Sequence, residues 1–443
     1  MSQMHLLSFV VHGPINHIMG AWAHPEDQRL TGLASFDHWI EMAKTLERGC
    51  FDGIFFADIP AAYEVYKASP DETMRYGVVW PAHDPVALVG AMAAATERLG
   101  FVSSASVTSF PPYPLARTFG TLDYLSGGRI GWNIVTGHAR AEHRALGLDQ
   151  MNHDERYDRA DEYMEICNAL WSGIPPEAVV ADKSRRILVD PDKVTTVDFK
   201  GKYMSCYAAP PVLPSPQGRP VLFQAGSSGR GREFAAKHAD IIFSMGADIK
   251  AMKAAVDNQR ETEKASGLAR QVPVVMAILP YLGSTDEEAA RKREELIDQV
   301  PAEAVLARFS GILGVDFGEL DLDKPLTEAK TETSKGLMAI ASSMFKDSKM
   351  SIRETIMKTG QLGGMPSITG GPERIADELE TIWRETGCHG FNISPAINNS
   401  SMTDFVDHIV PILQKRGVFR TEYSGTTLRE NLLDLPPRRQ MRA

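Results

Sequence analysis

The most informative stretch for chemistry is Ala225–Arg232, with the sequence AGSSGRGR, which follows an apolar run and precedes an amphipathic one. A Gly/Ser-rich turn between a strand and a helix presents free backbone N–H groups at the positive end of the helix dipole, and such a turn binds anions. The hydroxyls of Ser227 and Ser228 and the guanidinium of Arg230 would suit a phosphate. An ordinary Gly-rich connection with a serine N-cap explains the same sequence equally well.

Polar side chains also follow several apolar runs, where a charge must be paired or lie at an opening. Asp58 directly follows the apolar run 51–57 and is the strongest single-residue signal of this kind. His17 and His138 are candidate acid–base groups, because a free imidazole titrates near pH ~6.5. A lone histidine is more often a structural residue, so this role needs support from the fold.

His153 and Tyr157 form a further candidate pair, because they lie four residues apart in a stretch with helical periodicity. Residues at this spacing share one face of a helix, so both rings could point into one pocket. A capped surface helix with a packed tyrosine explains the spacing better. The spacing of His12, His17 and His24 matches no metal-ligand motif, and we expect no metal site.

The elements that position these side chains are short apolar runs, which we expect to be strands, and the amphipathic helical stretches that alternate with them. About eight such units predict a parallel sheet and favour a closed (β/α)8 TIM barrel over a doubly wound open sheet, since no GxGxxG motif follows the first strand. We expect N-caps at Asp154 and Asp248. The expected strands are Leu6–Val11, Phe51–Ala57, Phe101–Val107, Arg129–Thr136, Pro220–Ala225, Asp240–Met245, Val272–Leu279 and His389–Ser394.

In a barrel, catalytic side chains lie at the carboxyl ends of the strands. This rule selects one set of positions for the active site: His12, His17, Asp58, Tyr63, Ser104 to Thr108, Thr136, Gly137, His138, Ser227 and Ser228.

The domain organisation follows from the surplus over the roughly 250 residues that a barrel needs. We expect a single domain over 1–443 with an insertion at 172–219, which contains a weak hairpin signal, and a second insertion at 301–368. The second insertion could be an active-site lid with Gly360, Gly363 and Gly364 as hinges. Residues 416–443 read as a polar C-terminal tail.

The composition narrows the class of protein. No apolar run reaches the ~18 residues that a membrane-spanning helix needs, and no basic n-region suggests a signal peptide. The net charge of −10 argues against nucleic acid as a partner. The four cysteines are scattered without a CxxC pair, so we expect a reducing cytoplasmic location.

Taken in order along nearly the whole chain, several motifs resemble those of the bacterial-luciferase-like flavin-dependent monooxygenases. The resemblance is to the branch of nitrilotriacetate, dibenzothiophene-sulfone, dimethyl-sulfide and long-chain-alkane monooxygenases. The motifs are His17 with Gly20–Pro25, Phe51–Asp58, Pro114–Arg117, Thr121–Arg129, Gly131–Thr136, His153–Tyr157, Ser215–Pro220 and Gln224–Ser228.

The resemblance implies a two-component enzyme that uses FMN as FMNH2, supplied by diffusion from a separate NAD(P)H:flavin reductase. O2 would oxygenate a small organic substrate, such as an aminopolycarboxylate or an organosulfur compound, through a C4a-(hydro)peroxyflavin. Relatives suggest a homodimer or a homotetramer. His17, Tyr63 and His138 would assist catalysis. The flavin contacts carried over by position are Asp58, Ser104, His138, His153, Tyr157, Ser227 and Ser228.

Two departures from the alkane-oxidising relatives lie on the substrate side. Those relatives carry a cysteine where this chain has Pro14 or Ile15, and a histidine where Arg308 falls. Arg308, Lys324 or Arg140 could meet an anionic substrate, although surface charge is the simpler interpretation of each. The alternative functions are a deazaflavin-dependent oxidoreductase, a non-catalytic flavin-binding protein and a metal-dependent barrel hydrolase.

Overall fold

The computed structural model describes residues 3–14, 17–137, 139–268, 270–324, 351–361, 365–397 and 400–436. Eight parallel strands form a closed ring, so the predicted (β/α)8 barrel is confirmed. The strands in chain order are β1 (His5–Val11), β2 (Gly53–Ala57), β3 (Gly100–Ser106), β4 (Ile130–Val135), β5 (Val179–Asp182), β6 (Ile187–Val189), β7 (Val197–Lys200), β8 (Ser205–Ala208), β9 (Val221–Gln224), β10 (Ile241–Ser244), β11 (Val274–Leu282), β12 (Ser367–Gly370) and β13 (Gly390–Ile393).

Around the barrel the strands run β1, β2, β3, β4, β9, β10, β11 and β13, and β13 pairs again with β1. Leu7 of β1 pairs with Gly53 of β2 on one side and with Asn392 of β13 on the other, which closes the ring. β12 pairs in parallel with the carboxyl-terminal half of β11, from Leu279 to Leu282, and lies outside the ring. β1 and β9 are four strands apart in either direction and therefore lie on opposite sides of the barrel.

The helices pack around this ring. The α-helices are α1 (Arg29–Gly32), α2 (Phe36–Arg48), α3 (Asp71–Tyr76), α4 (Val86–Ala94), α5 (Pro112–Leu125), α6 (Arg140–Ala145), α7 (His153–Ser172), α8 (Gly229–His238), α9 (Ile249–Ala265), α10 (Asp286–Asp298) and α11 (Ala302–Leu313), followed by helices at Ile352–Gln361, Pro372–Thr386, Ser400–Asp404, Val410–Lys415 and Leu428–Leu432, with a π-helical turn at Phe405–Ile409. Among the described residues, every helix is too short or too polar to cross a lipid bilayer.

Side-chain caps determine where two of these helices begin. Asp248 accepts a hydrogen bond from Ala251 N–H at 2.7 Å, so its predicted N-cap role is confirmed. The N-cap predicted at Asp154 is wrong, because Asn152 Oδ1 accepts from Glu155 N–H at 2.9 Å and α7 begins at His153. Asp154 instead lies in the first helical turn, where a negative charge is favourable.

Four phenylalanines fill the barrel interior. The ring centroids of Phe9 and Phe55 are 5.5 Å apart, and the Phe243 centroid lies 5.0 Å from Phe9 and 5.3 Å from Phe55. Phe223 adds a contact to Phe55 at 5.7 Å. The barrel is therefore a packed core rather than a pore, and a ligand must bind beyond the strand ends.

The C-terminal segment closes the amino-terminal end of the barrel. Met4 N–H donates to Val418 O at 2.8 Å, and Phe419, Leu428 and Leu432 are buried. A Cβ on Gly100 would lie 2.4 Å from Leu428, so the first residue of β3 must be small for this helix to dock. Reading residues 416–443 as a polar tail is therefore wrong for the part up to Leu432.

The two insertions differ in structure. Residues 172–219 contain two antiparallel hairpins, β5–β6 and β7–β8, and the second confirms the predicted hairpin signal. In the later insertion, α11 packs against the helix Ile352–Gln361. Gly360 lies inside that helix, whereas Gly363 and Gly364 lie outside the described residues.

Candidate active site

The predicted site residues gather at the carboxyl ends of the strands, on two opposite sides of the barrel mouth. His17 follows β1 and Tyr63 follows β2, while the turn with Ser227 and Ser228 follows β9 across the ring. His138, predicted both as a catalytic group and as a flavin contact, lies outside the described residues.

The turn after β9 begins a helix, as the sequence pattern predicts. Ser228 is the N-cap of α8, and its Oγ accepts a hydrogen bond from Gly231 N–H at 3.0 Å. Ser227 is exposed beside it. The first turn of α8 therefore presents backbone N–H groups and hydroxyls at the barrel mouth, a combination suited to a phosphate.

Tyr157 reaches this turn from α7. Its Oη lies 3.4 Å from Gln224 Nε2, and a Cβ would come within 2.7 Å of this oxygen at Gly226 and within 2.8 Å at Gly231. Both glycines are therefore required for the close approach of the phenol. The His153 and Tyr157 rings are 5.2 Å apart, so the predicted shared helix face is confirmed, and Tyr157 is buried while His153 remains half exposed.

Arg230 faces α7 rather than the open side of the turn. Its guanidinium Nη2 lies 3.1 Å from Asp158 Oδ1 and 2.5 Å from Asp161 Oδ2, and it packs over the Tyr157 ring. These two carboxylates neutralise Arg230, the cation that was predicted to bind a phosphate. Anion binding at this turn depends on the serine hydroxyls and the backbone N–H groups.

Asp58 and Ser104 lie between these two sides. Burial, together with the charges of Asp84 and Glu142, raises the pKa of Asp58 to about 7. Ser104 Oγ donates to Phe56 O at 2.8 Å and accepts from Asn133 Nδ2 at 2.7 Å. Asn133 Oδ1 is buried without a hydrogen-bond partner among the described residues, so an acceptor is left for a ligand.

His17 is held as a neutral imidazole with one defined tautomer. Arg308 Nη1 donates to His17 O at 3.0 Å, and Arg308 Nη2 donates to His17 Nδ1 at 3.1 Å. A guanidinium only donates, so Nδ1 is the acceptor and the ring proton resides on Nε2. Burial and then the charges of Arg308 and Arg29 lower the pKa of His17 well below its ordinary value. His17 therefore presents an N–H donor at neutral pH and is not an imidazolium.

Helix α11 covers this side of the mouth. A Cβ on Gly311 would come within 2.1 Å of the Tyr63 ring, so the helix rests directly on the tyrosine. Burial, offset in part by Arg308, raises the pKa of Tyr63 to about 12. The phenol therefore stays protonated at neutral pH. α11 lies in the insertion 301–368, whose role as a lid stays a prediction.

Sequence reasoning named Arg308 as one of three possible contacts of an anionic substrate but preferred surface charge, and it missed Gly311. The interpretation of Arg308 as surface charge is wrong, because the residue is 9% exposed and bonds to His17, 291 positions away in the chain. A usable signal existed, since Arg308 is the one basic residue in the mainly apolar helix Ala302–Leu313. The spacing of three residues also places Arg308 and Gly311 on one helix face.

Two of the motifs that carry the resemblance are structural. Asp123 is buried beneath the barrel, and its carboxylate accepts hydrogen bonds from Ser215, Gln217 and Ile130 N–H. These bonds tie the stretch Thr121–Arg129 to Ser215–Pro220. Neither stretch reaches the barrel mouth.

Among the described residues, one trio of metal-ligand types has its donor atoms within 4.8 Å of one another: His5, His389 and Asp434. This trio lies at the amino-terminal end of the barrel, and the Arg420 guanidinium lies 2.8 Å from His5 Nδ1. The cation opposes a metal ion there. His12, His17 and His24 are not part of such a group.

The raised pKa of Asp58 predicts a pH-dependent stability. Between pH ~4 and ~7 the folded protein retains a proton that the unfolded chain has released, so stability falls as pH rises through this window. The D58N variant removes this loss. At pH 8 we expect D58N to raise the apparent free energy of unfolding by about 2 kcal/mol, because the variant has no carboxyl group to ionise. The value is smaller than the full pKa shift implies, since water screens part of the effect.

Urea unfolding at pH 4 and pH 8 checks this expectation, with D149N at an exposed aspartate as the control. The gain in D58N must shrink toward pH 4, where the unfolded chain begins to bind the proton that the folded protein retains. An equal effect at the two pH values would contradict the assignment.

Comparison with known proteins gives one consistent family. The sequence profile described as "Luciferase-like monooxygenase" matches residues 17–390. The dimethyl-sulfide monooxygenase of Hyphomicrobium sulfonivorans is 37% identical over 94% of this chain and 87% of its own length. The dibenzothiophene-sulfone monooxygenase of Rhodococcus erythropolis (strain XP) is 37% identical over 97% of this chain and 96% of its own length.

A further relative is named nitrilotriacetate monooxygenase component A, from Aminobacter aminovorans, at 34% identity over 93% of each chain. The crystal structure of DmoA from Hyphomicrobium sulfonivorans superposes with a TM-score of 0.90 and 36% identity, covering 98% of this chain and 93% of that one. A riboflavin lyase, solved with modified FMN and riboflavin, has a TM-score of 0.90 at 33% identity and covers 99% and 98% of the two chains.

Proposed function

The chain belongs to the luciferase-like monooxygenase family and is a flavin-dependent monooxygenase, and from this premise we propose that it is the oxygenase of a two-component system. In this proposal a separate reductase supplies FMNH2, and one oxygen atom of O2 enters a small organic substrate. The balance is substrate, O2 and FMNH2 giving oxygenated substrate, water and FMN. The name "component A" of one relative supports a separate reductase, and the FMN in a related structure supports the flavin.

The observation that carries the choice of FMN is the turn after β9. Ser227, the N-cap residue Ser228 and the N–H groups of α8 suit a phosphate, and the Tyr157 phenol lies against Gly226 and Gly231. Between this turn and β1, Asn133 Oδ1 on β4 offers a buried acceptor to a ring system with polar edges. These groups fit a flavin mononucleotide bound at the barrel mouth with its phosphate at the turn after β9.

Bound FMNH2 would supply the two electrons that activate O2. The chain positions the reactants, and His17 donates a hydrogen bond from Nε2 to a ligand oxygen. Tyr63 stays protonated and is a second hydroxyl donor. Asp58, with its pKa of about 7, can exchange a proton at neutral pH. α11 covers His17 and Tyr63 and excludes water, which otherwise diverts activated oxygen to H2O2.

Gly226 provides the test of the phosphate turn. A Cβ there would lie 2.5 Å from Gln224 Nε2 and 2.7 Å from Tyr157 Oη, so the G226A variant must displace the phenol. We expect the affinity for FMN, measured by fluorescence quenching, to fall at least about tenfold, which corresponds to about 1.4 kcal/mol. Gly229 on the same turn has open space at its Cβ position, and G229A is the matched control with unchanged affinity.

Activity is tested with a flavin reductase, NADH, FMN and ¹⁸O2 on a panel of carboxylates and organosulfur compounds. A product heavier by one ¹⁸O atom supports the proposed function. Failure of the protein to bind flavin in either redox state would falsify it. Flavin binding with no O2 consumed beyond that of free FMNH2 would indicate a flavin-binding protein without oxygenase activity.

A further inference from the structure

Arg308 carries a buried positive charge that the described residues do not neutralise. Its hydrogen-bond partners are the carbonyl oxygen and Nδ1 of His17 and the sulfur of Met19, and all three are uncharged. No carboxylate among the described residues lies within ion-pair distance of its guanidinium. A buried charge without a counter-ion is strongly unfavourable, so this place favours the binding of an anion.

A second buried guanidinium, that of Arg29, lies on the same side of the mouth and is 2% exposed. Its Nε lies 3.0 Å from Asp27 Oδ2, and its Nη2 donates to Ala396 O at 3.2 Å, directly after β13. Its Nη1 is buried without a hydrogen-bond partner among the described residues. The two guanidinium groups of Arg29 and Arg308 and the carboxylate of Asp27 together have a net charge of +1.

Both guanidinium groups act on one imidazole. The charges of Arg308 and Arg29 both lower the pKa of His17, so the three side chains form one electrostatic cluster. His17 Nε2 adds a third donor without a partner among the described residues. This cluster lies beside β1 and β13, opposite the turn after β9, so it is separate from the candidate phosphate site.

The surroundings are apolar. The Phe9 ring centroid lies 4.6 Å from that of His17, and Arg308 Nη1 contacts the Met19 sulfur at 3.3 Å. The buried Tyr63 ring lies under the same helix that carries Arg308. A ligand that fits this cluster combines one negative group with a hydrocarbon part. A planar carboxylate matches the fork of a guanidinium best.

We propose that Arg308, Arg29 and His17 Nε2–H form a binding site for the anionic group of the organic substrate, and that the substrate is a small carboxylate. This inference rests on the proposed function, because the charged group would hold the substrate at the flavin side of the barrel mouth. α11 then acts as a recognition element as well as a cover.

The probe pair for this site is butyrate and butyramide, which share shape and differ in charge. We expect saturable binding of butyrate to the wild-type protein in a low-chloride buffer, measured by saturation-transfer NMR, and none of butyramide at the same concentrations. R308Q weakens butyrate binding at least about tenfold. R353Q removes an exposed charge from the same insertion and leaves butyrate binding unchanged.

R308K preserves the charge without the fork and is expected to bind butyrate with intermediate affinity. If R308Q does not fold, the butyrate affinity of R308K relative to wild type tests the proposal. Equal binding of butyrate and butyramide, or equal butyrate affinity in wild type and R308Q, overturns the proposal. The proposal is also overturned if R308Q weakens FMN binding and leaves butyrate binding intact, because Arg308 would then serve the flavin.

The experiments distinguish failure of the proposed anion site from failure of the proposed oxygenase function. Butyrate binding that depends on Arg308 in a protein without flavin affinity would support the anion site and reject the oxygenase function. Flavin binding and oxygenation of uncharged substrates with no butyrate site would reject only the anion site.

Discussion

Replacing Arg420 by methionine is expected to lower the free energy of unfolding by about 3–5 kcal/mol, the usual cost of leaving one member of a buried ion pair without its partner. Arg420 Nη2 lies 2.6 Å from Asp52 Oδ1 and 2.8 Å from His5 Nδ1, and it donates to Asn431 O at 3.1 Å. Asp52 is buried and accepts from Leu6 N–H at 2.9 Å. The variant would leave this carboxylate without its cation.

The effect of R420M depends on pH. Burial would raise the pKa of Asp52, but Arg420 and His5 more than offset it, so the folded carboxyl has a lowered pKa. The wild-type network therefore contributes stability above the ordinary pKa of an aspartate, and this contribution is lost on acidification. The deficit of R420M must be largest near neutral pH and smaller near pH 3.

R416M is the matched control. Arg416 lies four residues earlier and pairs with Glu373, Asp377 and Glu380 at the surface, where such pairs contribute about 1 kcal/mol or less. The double variant D52N/R420M should lose less than the sum of the single losses, because neither side chain then leaves a buried charge. Equal losses of unfolding free energy in R420M and R416M would show that the network of Arg420, Asp52 and His5 does not anchor the C-terminal segment.

The H17F variant is expected to lower the rate of product formation by about 10²- to 10⁴-fold, the range for a positioned hydrogen-bonding or acid–base group. Phenylalanine fills the space beside Phe9 but removes the Nε2–H donor and the acceptor of Arg308. The affinity for FMN should stay within about twofold of wild type, since the turn after β9 lies across the barrel. H17Q, which can both accept from Arg308 and donate, should retain more activity.

The rate is measured with the substrate found in the ¹⁸O2 panel, and H2O2 is measured alongside to detect lost coupling. Because the pKa of His17 lies well below its ordinary value, the wild-type rate should show no imidazole titration between pH 6 and 8. H24F, in the same loop, is the control and should retain wild-type activity. A pH profile with an imidazole inflection that disappears in H17F would contradict the neutral tautomer.

The sequence by itself was sufficient for the barrel, the family and the Gly/Ser-rich turn that begins α8 with a serine N-cap. Strand–helix alternation and Gly/Ser-rich strand ends are local patterns. The alternation is confirmed for the eight strands of the ring, and predicting it needs no knowledge of which strands pair. The shared face of His153 and Tyr157 also follows from helical spacing alone. The caps were predicted less well, because Asn152 and Asp154 are both good N-cap residues and local spacing does not choose between them.

Only the tertiary structure decided what the strand-end residues can do. The His17 tautomer depends on Arg308, the burial of Arg420 depends on Asp52, and the charge of Arg230 is neutralised by Asp158 and Asp161. Each pair is separated by between 69 and 368 residues. Periodicity shows which face of an element is apolar, but the partner of a charged side chain depends on how distant elements pack, and that partner sets protonation and charge.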